Sequence, residues 1–264
     1  MKLPKITNPK HSDISSLKKL WKEIFKDSDD YINLFFREKF KPEASFVIKE
    51  NGELLAMLFA EINTLFENGK SFKGAYLCGI ATKPEVRGRG YASALIEYAI
   101  SRLENIDIFY LIPAEKSLFN YYKRFGFEPF TYFDKVEIAK NENTDEFKYS
   151  KDFYYPLMNT FYEKSCNGLF VKRSQADFEA IYDCYKKFMV FDDGYIVYQT
   201  EGDILTITEY TISFERAMKF GSYLMEKENA ERGFILKRDG KAPFSACRTT
   251  YKFGKERYVN LMLN

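Results

Sequence analysis

The chain has one histidine (His11), one tryptophan (Trp21) and four cysteines: Cys78, Cys166, Cys184 and Cys247. A lone histidine near the N-terminus argues against a Ser-His-Asp triad and against a histidine-rich metal site, so no metal is expected. The cysteines form no C-x-x-C pair, which argues against a zinc knuckle or dithiol redox centre and suits reduced thiols in the cytoplasm. No Gly-Lys-Ser/Thr follows the glycine-rich turn Arg87-Gly88-Arg89-Gly90, which removes a nucleotide P-loop there. Long hydrophobic runs are missing too: Leu54–Ala60 falls far short of the roughly 20 residues that cross a bilayer, and Met1-Lys2-Leu3-Pro4-Lys5 is no secretory leader. Charge of one sign is not in excess, with 40 Lys and Arg against 38 Asp and Glu. Neither nucleic acid nor membrane is therefore an expected partner.

What is present is core material, 45% hydrophobic and 18% aromatic over 264 residues. That length suits one large domain or two ordinary ones. Ser12 to Phe25 carries Ile14, Leu17, Leu20, Trp21 and Phe25 at helical spacing. A second helix is expected from Asp29 to Phe40, after the acidic corner Asp27-Ser28-Asp29-Asp30. Strands are expected over Ala44–Lys49 and Glu53–Asn63, joined at Glu50-Asn51-Gly52. Lys73–Thr82 reads as a further buried strand. A glycine-rich turn then opens a helix with an apolar stripe of Ala92, Leu95, Ile96, Ala99 and Leu103. Strand Ile106–Ile112, helix Glu115–Phe125 and strand Phe127–Ile138 follow. The fold class is therefore α/β, a mixed sheet with a helix crossing between strands.

The polar stretch Lys140–Lys151 is the expected boundary between a first domain, 1–139, and a second, 152–264. The second half predicts a helix from Asp152, another capped by Ser174, and a hairpin at Thr200-Glu201-Gly202. A helix over Ser213–Glu226, a hairpin at Asp239-Gly240 and a last strand Tyr258–Asn264 complete it. This order suggests a diverged copy of the first domain.

The chemistry is concentrated in Gly79-Ile80-Ala81-Thr82-Lys83-Pro84-Glu85-Val86-Arg87-Gly88-Arg89-Gly90-Tyr91-Ala92-Ser93. A strand ends, a turn follows, and a helix opens on small residues. First-turn amides have no intrahelical partner, and the helix dipole adds positive potential, so the turn can hold a phosphate. Gly88 and Gly90 permit close approach, and Arg87 and Arg89 can add charge-assisted bonds. A dinucleotide fingerprint fits poorly: the third glycine and a ribose-binding acid are missing.

These residues resemble the GNAT superfamily of N-acetyltransferases, whose signature (Arg/Gln)-x-x-Gly-x-(Gly/Ala) is filled by Arg87, Gly90 and Ala92. Leu118-Phe119-Asn120-Tyr121-Tyr122-Lys123-Arg124-Phe125-Gly126-Phe127 resembles its second signature, a tyrosine four residues before Gly-Phe. The two-part organisation is similar to the tandem enhanced intracellular survival family, here without its sterol-carrier-like domain, the second domain being a degenerate GNAT-like copy that walls the acceptor site.

The resemblance implies an enzyme that transfers acetyl from acetyl-coenzyme A to a small-molecule or peptide amine by direct attack, either as a monomer or as an oligomer. It implies cofactor contacts from Ile80, Ala81, Thr82, Arg87, Gly88, Arg89, Gly90, Tyr91, Ala92 and Ser93. Tyr122 is the implied acid for the leaving thiolate, and the Asn264 carboxylate the implied base. Glu61 is a second candidate base, and Asp27, Asp29, Asp30, Phe35 and Phe36 candidate acceptor contacts. A non-catalytic acyl-coenzyme A sensor would carry the same motifs.

Overall fold

The structure, a computed structural model, describes residues 4–140, 147–185 and 187–260. In chain order the elements are β1 (Ile6–Thr7), α1 (Ile14–Phe25), α2 (Asp29–Glu38), β2 (Ser45–Glu50), β3 (Glu53–Glu67), β4 (Lys70–Thr82), α3 (Tyr91–Arg102), β5 (Ile108–Leu111) and α4 (Leu118–Lys123). They continue with β6 (Glu128–Ile138), α5 (Tyr155–Ser165), β7 (Leu169–Val171), α6 (Gln175–Tyr185), β8 (Phe188–Phe191), β9 (Gly194–Glu201), β10 (Ile204–Tyr210), α7 (Phe214–Lys227), β11 (Arg232–Arg238), β12 (Ala242–Thr249) and β13 (Arg257–Tyr258). The class is mixed α/β, as the sequence predicts.

Two compact units result, and they are not cut at a single point of the chain. The first comprises Met1–Leu65, Gly69–Pro129 and Ser245–Lys252; the second comprises Phe66–Asn68, Phe130–Phe244 and Phe253–Asn264.

In the first unit β2 and β3 form an antiparallel hairpin from Ser45↔Phe59 to Glu50↔Glu53. Its turn has Asn51 and Gly52 at φ 51° and 84°, the double left-handed geometry that favours Asn-Gly. β4 pairs in parallel with β5 only from Gly74↔Ile108 to Tyr76↔Tyr110, and α3 makes the crossover. β4 thus runs past the end of β5 as far as Thr82. The last part of β12 lies antiparallel on the far side of β5, from Ala246↔Leu111 to Thr249↔Ile108. One core packs α3 through Leu95 and Ile96 against Phe46, Leu58 and Leu77. Each such fully buried side chain contributes about 1.5–3 kcal/mol. A second core surrounds Trp21, stacked on Phe59 at 5.6 Å.

The second unit repeats the plan. β9 and β10 form a hairpin, α7 crosses over, and β11 lies parallel to β10 from Ile204↔Arg232 to Ile207↔Ile235. The approach to α7 differs from that to α3. Ser213 caps the helix with its own side chain, which accepts from Arg216 N. The amide end that is open in α3 is closed here.

The expected hairpin at Asp239-Gly240 does not form. β11 already has β10 on one edge and β6 on the other, so β12 pairs with β6 instead. Asp134 holds that turn by accepting from Lys241 N at 2.9 Å and Ala242 N at 3.3 Å. Of the expected last strand, Tyr258–Asn264, the structure places Tyr258 in β13 (Arg257–Tyr258), parallel to β7, with Val259 and Asn260 outside it; residues 261–264 lie outside the described residues.

A buried polar knot sits inside the second unit. Arg173 forms a bidentate pair with Glu209 at 2.7 and 2.8 Å, and its guanidinium lies 4.1 Å from the Tyr162 ring. Tyr195 and Tyr258 donate to the same carboxylate, at 2.7 and 2.6 Å. Burial raises the pKa of Glu209, but Arg173 and the hydroxyl donors outweigh it and leave the carboxyl below its ordinary range.

Candidate active site

The first unit contains a cavity of about 460 Å³ at the opening of α3. Three stretches wall it: the end of β4 (Ile80, Ala81, Thr82), the turn into α3 (Arg87, Gly88, Gly90, Tyr91, Ala92, Ser93), and α4 with its exit (Leu118, Tyr121, Tyr122, Arg124). Of the residues predicted from the two motifs, all line it except Arg89, which is exposed. Ile24 of α1, Val86, Leu118, Tyr121 and Arg124 also line it, and sequence reasoning gave none of them a role in the site.

Each wall follows from its local chemistry. In β4, Gly79 takes φ 55° in mid-strand, where a side chain would meet Phe59 at 2.4 Å and Trp21 at 3.0 Å. The strand therefore breaks its regular pleat immediately before the lining residues. At α3 the N-cap is Gly90, φ 82°, with no side chain closing the helix end. Gly88 is similar at φ 79°, and a Cβ built on either glycine would have no protein atom within 4 Å. The amides of Tyr91, Ala92 and Ser93 thus face open space at the helix end, where no side chain caps them.

The cavity carries unspent polar capacity. Thr82 Oγ1 is buried without a hydrogen-bond partner, an expensive state unless something else supplies one. Arg87 donates from Nε to Thr82 O at 3.4 Å, and Arg124 from Nε to Tyr121 O at 3.4 Å. Neither guanidinium has a carboxylate partner among the described residues. By contrast, nearby Lys83 is paired with Glu53 and Glu85.

The two adjacent tyrosines of α4 differ. Tyr121 is half-buried and lies 3.2 Å from Ser93 Oγ. Tyr122 is the more buried of the two, at 9% exposure. Burial pushes its phenol up to about 12, with Tyr121 adding a little. The Tyr122 hydroxyl makes no hydrogen bond to another described residue. It is held protonated, with its proton available to the cavity.

α4 is positioned from far along the chain. Arg248 of β12 donates from Nη1 to Phe125 O at 2.6 Å. Gly126 beside it, at φ 81°, leaves room for that guanidinium: a Cβ there would stand 2.9 Å from Arg248 Nη1.

The other candidates lie away from the cavity. Asp27 accepts from the Trp21 indole at 2.7 Å, and Asp29 pairs with Lys22 at 3.0 Å. Asp30 is exposed, and Phe35 and Phe36 are core residues around Trp21. Glu61 is half-buried, 3.8 Å from Lys39 Nζ and 3.8 Å from the Cys78 thiol, which burial and that carboxylate push well up. Asn264 lies outside the described residues. Among those residues no cluster of metal-ligating side chains occurs, and no helix is long and apolar enough to cross a membrane.

A strand that outruns its parallel neighbour, a glycine-opened helix and a tyrosine-bearing helix thus meet around one cavity. Comparison with known proteins bears on this stretch of the chain. Residues 5–130 match the model described as an acetyltransferase (GNAT) domain. That match covers just under half of the chain and takes in every residue that walls the cavity.

Solved structures agree in fold over most of the chain. A probable N-acyltransferase from Enterococcus faecalis V583 superposes with TM-score 0.72 at 14% identity, covering 93% of this chain and 72% of that one. Eis1 from Mycobacterium abscessus gives 0.66 at 12% identity, covering 93% and 73%. A GCN5-related N-acetyltransferase from Anabaena variabilis gives 0.65 at 16%, covering 94% and 73%. No curated protein matches the chain by sequence.

Proposed function

We propose that the chain transfers the acetyl group of acetyl-coenzyme A directly to an amine, and that the cavity at the opening of α3 is where this happens. The observation that carries the reading is the open amide end of α3. It has two left-handed glycines with empty space beside them, and it lies against a strand end whose Thr82 hydroxyl lacks a partner. A phosphate and an amide-bearing arm satisfy both.

The residues fit the donor as follows. Gly88, Gly90 and the amides of Tyr91, Ala92 and Ser93 receive the pyrophosphate, with Arg87 supplying charge. Ile80, Ala81 and Thr82 pair with the pantetheine arm as a strand would, and Thr82 Oγ1 gains a partner there. The donor supplies a thioester, whose carbonyl an amine can attack. Holding amine and carbonyl together supplies much of the rate.

Tyr122 gives its proton to the departing sulfur. A phenol raised to about 12 stays neutral at working pH and so keeps its proton until the C–S bond breaks; the proton shed by the attacking amine then restores it. The second unit, whose α7 is self-capped, takes no donor of its own. Arg89, which does not line the cavity, serves as background charge. The four free thiols suit the cytoplasm.

The test is thiol release from acetyl-coenzyme A across a panel of polyamines, aminoglycosides, amino acids and peptides. Release dependent on one class of amine supports transfer. Tight donor binding with no release for any amine would favour a sensor instead.

A further inference from the structure

We propose that Arg124 binds the 3′-phosphate of the donor nucleotide and so makes the protein select coenzyme A over its dephospho form. This rests on the acyl-coenzyme A reading above and adds a residue that neither signature motif assigns.

The argument is one of matching charges. The cavity has three cationic features: the amide end of α3, Arg87 and Arg124. Two of them belong to one wall, since Arg87 stands just before the glycine turn with its Nε tied to Thr82 O. The amides and Arg87 are enough for a pyrophosphate, which bears about two negative charges. Arg124 comes from the opposite element, the exit of α4, and would be redundant there. Its free partner must be a second anion. Coenzyme A carries one, a phosphomonoester of about −1.5 to −2 at neutral pH.

The guanidinium is also prepared for that role. Its Nε donates to Tyr121 O at 3.4 Å, and its central carbon lies 4.7 Å from the Tyr121 ring centre and 5.6 Å from that of Phe125. These contacts hold the side chain while leaving both terminal nitrogens without a protein partner among the described residues. A fork held in place with two free donors is suited to bidentate phosphate recognition and loses little entropy on binding. The neighbouring Lys123 is already occupied, 3.9 Å from Glu128.

The experiment is calorimetric titration of the full chain and of Arg124→Met and Arg124→Lys with coenzyme A and with dephospho-coenzyme A. Wild type is expected to prefer coenzyme A by roughly ten- to a hundredfold, the value of a charged hydrogen bond or two. Arg124→Met should lose that factor for coenzyme A and bind dephospho-coenzyme A about as wild type does; Arg124→Lys should recover part of it. Equal weakening toward both ligands, or none toward either, overturns the assignment, because the arginine would then serve the pyrophosphate, the base or the fold. A wild type that binds neither ligand overturns the acyl-coenzyme A reading itself, an outcome distinct from failure of the arginine alone.

Discussion

Tyr122→Phe removes one oxygen from a side chain whose ring is packed against Tyr121 at 5.2 Å and Phe127 at 6.2 Å. The ring contacts survive the change, and no protein hydrogen bond is lost, because the hydroxyl makes none to a described residue. Folding stability should therefore shift by no more than about 0.5 kcal/mol. Donor affinity should also hold, since the amides of α3 and the end of β4 are untouched. What disappears is the proton for the leaving sulfur. Proton transfer by a placed side chain contributes about 10²–10⁴-fold, or roughly 3–5 kcal/mol of barrier. Thiol release under saturating acetyl-coenzyme A and amine measures kcat, and calorimetric titration measures donor Kd. A fall in kcat by that factor with Kd unchanged fits the assignment. An unaltered kcat, or parallel losses in kcat and affinity, would refute it and leave Tyr122 as a packing residue.

Other consequences can be checked with the same protein. Because the Tyr122 phenol is raised to about 12, it stays protonated as pH climbs through the ordinary tyrosine value near 10. The profile of kcat/KM should rise as the amine deprotonates and show no descending limb up to pH ~10; a limb centred near 9 would contradict this. Arg248→Met cuts the 2.6 Å bond to Phe125 O that holds the exit of α4. It should lower stability by about 1.5–3 kcal/mol and depress kcat more than donor affinity, read from urea midpoints and thiol release. Glu209→Gln leaves the Arg173 guanidinium buried and uncompensated, which should cost about 3–5 kcal/mol in urea unfolding. The Glu209 carboxyl is held below its ordinary value, so its contribution is present above about pH 4.5 and fades as pH falls through the lowered folded value.

Much of the site is legible in the sequence because its signals are local. Arg87-Gly88-Arg89-Gly90 announces an open helix end: only glycine adopts φ near 80° without strain, and nothing else in the stretch requires it. Tyr122 is found by its spacing from Gly126-Phe127, although its greater burial than Tyr121 is not. What escapes is long-range. That β12 would seat its end beside β5 depends on which strand edges are free, and no residue of Ala242–Thr249 announces a partner more than a hundred positions away. The Asp239-Gly240 turn misleads for the same reason, since its residues are right for a hairpin but both edges of β11 are taken. Arg124 and Arg248 look like ordinary surface cations until their ring and carbonyl partners are known. Arg173 and Glu209, 36 residues apart, are likewise unremarkable one at a time.

The central claim, that the glycine-opened end of α3 is the donor cradle, is tested most directly by a paired substitution. Gly90 and Gly52 sit at nearly the same backbone angle, φ 82° and 84°, and a Cβ at either meets no protein atom within 4 Å. Valine at either position imposes similar strain, about 1–3 kcal/mol. Gly52 belongs to the β2–β3 turn and does not line the cavity; Gly90 does. Titration with acetyl-coenzyme A should give one site per chain in wild type and in Gly52→Val. In Gly90→Val, affinity should fall by at least about tenfold, because the side chain stands where a phosphate must approach the amides. Equal affinities in the two variants, or two sites per chain, would contradict the account.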